Sequence, residues 1–424
     1  MRPHPPSASG LPHRSAPSTD ALPDLSHGAT VDAPLPDGLM LRTATPADII
    51  DAARLLGDRG EPSDAGDLEL IVGTEGCEGV AVVLQGDRVV STLTLLDEVV
   101  HVDGVPVPTG QVDLVATDRD FEGRGLVRAL MDWAHGRSRD TGHLLQVMVG
   151  IPYFYRQFGY EYAIPMPPWR PLVAVPPTSD GVVVRPAVLE DIPVLQALQE
   201  QAQASADVRM GHRPRCWRWL IERGGPTLWV AEDDGAVVGM SRTEGDAVGE
   251  LAAPADEVLL ALVAHAAEHA DEKIAVQQRT GVGSALESFL GAPTEQPDWY
   301  YARVPDMASL LGHLAPALQA RLRAAGLGDR EHEVLLSSWR SHIRFTIGPS
   351  GFRVLGQGGA EQAPISKGGS GVPPDALASL VLGPYGAAGL EERLPDCLLG
   401  QQRDLMTALF PPRTADLHTF YLPD

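Results

Sequence analysis

Gln111-Val-Asp-Leu-Val115-Ala-Thr117-Asp-Arg-Asp-Phe-Glu122-Gly123-Arg124-Gly125-Leu126-Val127-Arg128-Ala-Leu-Met-Asp-Trp133 decides what kind of fold this chain can adopt. An apolar run over 112–116 reads as a strand and enters a polar turn. The turn ends in Gly-Arg-Gly. Beyond it Leu126, Leu130, Trp133 and Ala134 share one face of an amphipathic helix. A strand, a glycine turn and a helix start leave backbone N–H groups free and aim the positive end of the helix dipole outward. That geometry holds phosphate, and Arg124 and Arg128 could add charged contacts. Gly-x-Gly at a helix start is also an ordinary tight connection, and spacing alone keeps both readings open.

Downstream, 144–149 is a further strand-like run, followed by Phe154-Tyr155-Arg-Gln-Phe158-Gly159-Tyr160. Tyr153, Tyr155, Tyr160 and Tyr162 suit an aromatic packing cluster. Upstream lies the first half of an internal repeat. Leu41-Arg42-Thr-Ala44 and Asp48-Ile49 return at an offset of 143 as Val184-Arg185-Pro-Ala187 and Asp191-Ile192. A helix-like stretch and a hairpin follow each copy, with turns at Gly86-Asp87 and Asp234-Gly235. Two matches in the same order predict a duplicated α/β domain.

The chain has 424 residues, which at roughly 100–200 residues per domain allows two to four domains. Residues 1–37 hold eight prolines and read as a disordered tail, with order beginning near Leu39. The expected units are 38–170, 178–300 and 301–424, with a Pro-rich linker over 165–177. In the last unit, helical stretches (307–325, 374–381, 399–409) alternate with strands (333–338, 342–347, 351–355), a small α+β domain. Gly-rich 356–371 lacks phosphate-binding spacing and reads as a connection.

Hydrophobic residues make up 44% and charged residues 21%, as in globular proteins. A formal charge of −23, from 33 basic and 56 acidic residues, opposes a nucleic-acid or anionic-lipid partner. It suits a cationic small molecule. No run of 18 apolar residues exists and the N-terminus lacks an apolar leader, so a cytoplasmic location is expected. Cys77, Cys216 and Cys397 are scattered and expected to be reduced, forming neither disulfides nor a metal cluster. His265 and His269 lie four apart on a helix expected over 257–270. They lack a third ligand and are expected to face solvent. Trp217 and Trp219 are expected in the core.

The order strand, Arg124-Gly-Leu-Val-Arg128, helix, strand, Phe154-Tyr155 and Phe158-Gly159-Tyr160 resembles the GNAT acetyltransferases, and among them the enhanced intracellular survival (Eis)-like group. The resemblance covers about 39–424, is specific over 111–163, and is architectural elsewhere. It implies an α/β (α+β) fold: two tandem GNAT-type mixed-sheet domains, the second degenerate, then a sterol-carrier-like α+β domain. It implies an acetyl-CoA-dependent N-acetyltransferase without a metal, acting on a primary amine such as an aminoglycoside or a lysine. It also implies a homo-oligomer, a hexamer in that group.

By the same resemblance, Gly123, Arg124, Gly125, Leu126, Val127 and Arg128 hold the pyrophosphate. The backbone of Val115 and Thr117 holds the pantetheine arm as an added strand. The N–H near Val115 polarises the thioester carbonyl. Tyr155 matches the tyrosine that serves as general acid for the leaving thiolate. The C-terminal carboxylate serves as base in that group; here Asp424 offers two carboxylates, beyond an apolar Phe420-Tyr421 ending. The family prefers Arg or Gln where Glu122 stands. A carboxylate beside a pyrophosphate is unfavourable, so Glu122 is expected to turn away. Residues 246–254 show no Arg-Gly-Leu-Val equivalent, so the second copy is expected to bind no CoA. A second class of function stays open, a non-catalytic acyl-CoA sensor or a carrier of an apolar ligand in the C-terminal domain.

Overall fold

The computed structural model describes residues 32–178, 181–223, 227–270, 273–282, 284–293 and 298–418. Its first stretch carries β1 (Ala33–Leu35), β2 (Leu39–Thr43), α1 (Ile49–Arg59), α2 (Asp64–Glu75), β3 (Val80–Gln85), β4 (Arg88–Val102), β5 (Val105–Thr117), α3 (Leu126–Asp140), β6 (Leu145–Met148) and β7 (Glu161–Pro165). Strand β1 is a correction to the expected tail, because Ala33–Leu35 pairs antiparallel with Leu39–Leu41. Pro34 fits there because β1 lies at the edge of the sheet, where a missing N–H costs little.

The next stretch carries β8 (Trp169–Pro171), β9 (Val182–Pro186), α4 (Ile192–Ala202), β10 (Val208–Met210), α5 (Pro214–Glu222), β11 (Thr227–Asp233), β12 (Ala236–Glu244), β13 (Ala247–Ala252), α6 (Asp256–His269) and β14 (Ala275–Gln277). Six of these strands form a separate sheet in the order β8-β14-β13-β12-β11-β9. The repeated residues perform the same task in both units. Arg42 clamps Asp48 with bonds of 2.7 and 2.8 Å, and Arg185 clamps Asp191 with bonds of 2.7 and 3.0 Å. Each carboxylate also accepts the N–H three residues before it, from Thr45 or Val188.

The last stretch carries β15 (Trp299–Arg303), α7 (Met307–His313), α8 (Ala315–Ala324), β16 (His332–Ser337), β17 (His342–Gly348), β18 (Gly351–Gly358), β19 (Ser370–Gly371), α9 (Leu377–Leu382), α10 (Gly386–Arg393), α11 (Arg403–Leu409) and β20 (Ala415–Leu417). Four of its strands form a sheet in the order β18-β17-β16-β19. The helix expected over 307–325 breaks at Leu314, and a proline opens α8. Strand β18 continues to Gly358, into the stretch expected to be only a connection.

Three remote strands complete the first sheet. Strand β15 lies antiparallel between β6 and β7. Strand β10 pairs with the far end of β4 and carries β20 in parallel. The boundary expected at residue 300 therefore cuts through β15. The expected linker over 165–177 likewise contains β8, a strand of the second sheet. The fold is a mixed α/β arrangement in which each sheet has its own helices.

The first sheet buries both faces. Val83, Val112 and Met148 pack with Leu126, Leu130 and Trp133 on the α3 side. Val82, Leu114 and Ala116 pack with Leu56 and Leu68 of α1 and α2 on the other side, where Trp217 and Trp219 join them. No helix among the described residues is long and apolar enough to cross a membrane.

Candidate functional site

The site opens where the first sheet splits. Strands β5 and β6 pair in parallel over Thr109↔Leu145, Gly110↔Gln146 and Gln111↔Val147, and then separate. On its other side, β5 slips against β4: Asp113 faces Thr94, whereas Ala116 faces Thr92. Leu114, inside the slip, takes φ +48°. Beyond Gln111, strand β5 therefore presents an edge that β6 does not cover. A cleft of about 600 Å³ lies along that edge, lined by Val115, Thr117, Gly123 and residues 125–128 on one wall and by Ile151, Phe154, Tyr155 and Phe158 on the other.

Helix α3 points its start into this cleft. Gly123 and Gly125 take φ +73° and +79°, a left-handed backbone in which glycine avoids the Cβ clash. Gly125 is the N-cap, with no side-chain cap and no acid in the first turn. The N–H groups of Leu126, Val127 and Arg128 thus stay available to an anion. Arg128 lines the cleft and donates to Gln157 at 2.9 Å. Arg124 sets its guanidinium 4.6 Å from the Phe121 ring centre and donates to the Asp120 carbonyl.

Glu122 is half-exposed at the rim and pairs with Arg59 at 2.5 Å. Arg59 also donates from Nε to the Thr117 carbonyl at 2.9 Å. That carbonyl is therefore already engaged, whereas the sequence reading left it free for an added strand. Arg59 lies at the end of α1 and had no mark in the sequence.

Tyr155 lies on the far wall, within a single 3₁₀ turn (Phe154–Phe158) held between Tyr153 at φ +67° and Gly159 at φ +84°. Its ring meets Phe154 and Tyr301 edge-on, at 5.1 and 5.9 Å between centroids. Gly150 makes room for it: a Cβ there would stand 2.4 Å from the ring. Burial, helped by the nearby Asp113 carboxylate, pushes the Tyr155 hydroxyl up to about 12. The phenol therefore holds its proton at neutral pH and can donate it to an anion formed in the cleft.

The other tyrosines divide. Tyr160 is buried and hydrogen-bonds Gln146. Tyr162 stacks on Tyr301 at 4.3 Å and accepts its hydroxyl at 2.9 Å. Tyr153 is 72% exposed and outside the cluster expected for it. Tyr301 arrives on β15 and was not visible as a site residue in the sequence.

Trp217 and Trp219 are core residues, as expected, and the three cysteines are free. His265 is only partly exposed, packed against Trp229 and His269 at 4.5 and 4.1 Å between centroids, whereas His269 is exposed as expected. In the second unit, helix α6 begins with Asp256 and Glu257, which would repel a phosphate. Asp424 and Phe420-Tyr421 lie outside the described residues.

One buried cluster gathers His212, Glu250 and His418, with ligand atoms within 4.8 Å of one another. Arg242 already holds Glu250 at 2.9 Å, Gln199 meets His418 at 2.7 Å, and Arg279 pairs with Asp416. A dication there would stand against buried guanidinium groups. The cluster reads as an ion-pair network that fastens β20 to the second unit. A second cavity, about 470 Å³, lies between β7 and the last unit. Its wall mixes Arg156, Glu161, Asp375 and Arg393 with Tyr162 and Trp299.

Residues 41–163 match the model of the acetyltransferase (GNAT) domain. Among solved structures, the chain is similar in fold to a GCN5-related N-acetyltransferase from Anabaena variabilis ATCC 29413 (16% identity, TM-score 0.65, covering 89% of this chain and 99% of that one). It is similar to another from Kribbella flavida (17%, 0.61, covering 90% and 100%), and to Eis1 from Mycobacterium abscessus (15%, 0.58, covering 89% and 98%). No curated protein matches the sequence. The GNAT acetyltransferase match thus covers residues 41–163, and the split between β5 and β6, the cleft and Tyr155 lie within the matched residues.

Proposed function

We propose that this chain is an acetyl-CoA-dependent N-acetyltransferase that acts on a primary amine of a cationic acceptor, an aminoglycoside-like molecule or a lysine side chain. The observation that carries the reading is the uncovered edge of β5 beyond Gln111, set beside the uncapped start of α3 and facing Tyr155. The cleft fits such a donor: glycine backbone and free N–H groups at the helix start suit a pyrophosphate, and Val115, Phe154 and Phe158 suit the arm.

In this reading the N–H groups from Gly123 to Arg128 hold the pyrophosphate. The Val115 N–H faces the thioester carbonyl and stabilises the charge that develops on its oxygen. Thr117 borders the arm, with its carbonyl steadied by Arg59. Tyr155 gives its proton to the sulfur as the carbon–sulfur bond breaks, and its raised pKa keeps that proton in place until then. The net charge of −23 favours an ammonium acceptor.

The second unit is read as a degenerate GNAT domain serving as scaffold, and the last as sterol-carrier-like. The test is thiol release from acetyl-CoA across aminoglycosides, polyamines and lysine peptides, with wild type beside Tyr155→Phe. Turnover that falls at least tenfold, roughly 1.4 kcal/mol of barrier, supports the assignment. Acetyl-CoA binding without turnover on any amine overturns it in favour of a sensor.

A further inference from the structure

The turn that carries Tyr155 separates two spaces. Phe154, Tyr155, Gln157 and Phe158 line the cleft, whereas Arg156 lines the cavity of about 470 Å³ between β7 and the last unit. The two spaces share no lining residue. Tyr162 belongs to the cavity wall, and Tyr301 lies against both Tyr162 and Tyr155, at 4.3 and 5.9 Å between centroids. The cavity falls in the range of small-molecule sites, about 300–1,000 Å³.

The cavity wall already holds two cations on aromatic faces. The Arg393 guanidinium lies 4.0 Å from the Tyr385 ring centre. The Arg156 guanidinium lies 5.5 Å from the Tyr162 ring centre and 5.2 Å from that of Tyr153, and its Nε pairs with Glu161 at 3.0 Å. A ring face attracts a cation because its quadrupole is negative there, and indole attracts most strongly. Trp299 stands beside Tyr385, 6.4 Å between centroids and tilted by 34°. Among the described residues, no guanidinium or ammonium lies over Trp299.

The charges of the wall are unequal. Three carboxylates, Glu161, Asp375 and Asp396, meet two guanidinium groups. Arg156 matches Glu161. Asp375, before α9, and Asp396, after α10, pair with no Arg, Lys or His among the described residues. Asp375 lies close enough to Glu161 to add to the effect of burial, and together they raise the Glu161 carboxyl against the pull of Arg156. One more positive charge eases that repulsion. The Arg156–Glu161 pair is partly exposed, so a ligand cation can take the place of Arg156 at little cost.

We propose that this cavity is a second ligand site, for a guanidinium or ammonium carried on an aliphatic stem. Asp375 and Asp396 supply the carboxylates. Trp299, Tyr162 and Tyr385 supply ring faces for the head and apolar cover for the stem. The site lies outside the acetyl-transfer cleft and does not depend on that reading. Such a head belongs to a free polyamine or to a Lys or Arg side chain, and the test separates the two.

The test is calorimetry on the full chain, with diguanidinobutane as the free cation and an end-blocked arginine tripeptide as the side chain. Diguanidinobutane carries no amine to acetylate. Wild type is expected to bind at one site, with or without saturating acetyl-CoA. Asp375→Asn weakens binding about three- to tenfold, and Trp299→Leu does the same without changing the charge. Arg156→Ala removes the competing guanidinium and tightens binding about threefold. Asp329→Asn alters an exposed acid outside the cavity and leaves binding unchanged, which separates a built site from general attraction to a chain of net charge −23. Tighter binding of diguanidinobutane assigns the site to a free cation, and tighter binding of the peptide assigns it to a protein side chain. No saturable binding of either probe overturns the proposal. So does binding that acetyl-CoA abolishes, or that responds to Asp329→Asn as strongly as to Asp375→Asn. Asp375 is exposed, so its variant keeps the fold and decides the matter even where Trp299→Leu fails to fold. A wild type that binds the cation but not acetyl-CoA keeps this site and overturns only the donor reading.

Discussion

The Tyr301 ring stands edge-on to Tyr155 at 5.9 Å, although Tyr301 enters the sheet on a strand that follows the entire second unit. Its hydroxyl also reaches the Ile151 carbonyl at 3.3 Å and Tyr162 at 2.9 Å. One side chain thus braces both the wall that carries Tyr155 and the loop before it. Tyr301→Phe keeps the ring and loses only the hydroxyl bonds, so kcat should fall a few-fold. Tyr301→Ala removes the ring and should lower kcat about tenfold or more, with acetyl-CoA affinity little changed. Steady-state kinetics on both variants check this; equal effects would show that ring packing does not position Tyr155.

Among the described residues that line the cleft, Glu122 is the one carboxylate, and it pairs with Arg59. Removing the charge while keeping the shape should favour a polyphosphate. Glu122→Gln is expected to tighten acetyl-CoA binding by roughly three- to tenfold at low salt, and by less at high salt, where screening shortens the reach of charge. Arg59→Ala should do the opposite, because it leaves Glu122 unpaired beside the ligand. Calorimetry at two ionic strengths checks both; weaker binding by Glu122→Gln would make the pair a structural support of the turn.

The local grammar of this chain was legible because it rests on short-range rules. A glycine turn between an apolar run and an amphipathic helix announces the cradle at 123–128, and Gly-Asp turns announce both hairpins. The offset of 143 carries the Arg–Asp clamp from one unit to the next. What stayed hidden depends on long-range pairing. Nothing in Trp299–Arg303 says that the strand belongs between β6 and β7, since a five-residue run of aromatics suits any buried sheet. Arg59 reaches Thr117 only because α1 lies across β5. The slip at Leu114 has no glycine to mark it, so nothing in the sequence shows that the alternation along β5 breaks there.

The repeated clamp gives a prediction with a defined pH range. Burial alone would raise Asp48, but the hydrogen bonds from Arg42 and Thr45 outweigh it and bring the carboxyl down to about 2. A depressed carboxyl stabilises the fold above the unfolded pKa near 4, and that stability is lost as pH falls through 2. Arg42→Ala should cost about 1–3 kcal/mol at neutral pH, less than a fully buried pair because Arg42 is partly exposed. Its deficit against wild type should shrink between pH 4 and 2. Denaturant unfolding over that range checks it, and a constant deficit would attribute the loss to packing of the arginine stem.

Asp113 makes the opposite prediction. Its folded pKa, about 7, lies above the unfolded value near 4, so the native state holds a proton that the unfolded chain has already released. The stability this gives is complete below pH 4 and is lost as pH rises through 7. Asp113→Asn removes that loss and keeps one oxygen to accept the Leu114 N–H, while its new NH2 can donate to a flipped Gln111 amide. The variant should match wild type at pH 4 and exceed it in Tm increasingly up to about pH 7, with no further gain above. Asp67 and Glu98, also raised, remain in both proteins and cancel in the difference. Thermal unfolding of the pair from pH 4 to 8 measures this directly. A flat difference would mean that Asp113 is ionised throughout, with its two hydrogen bonds outweighing burial.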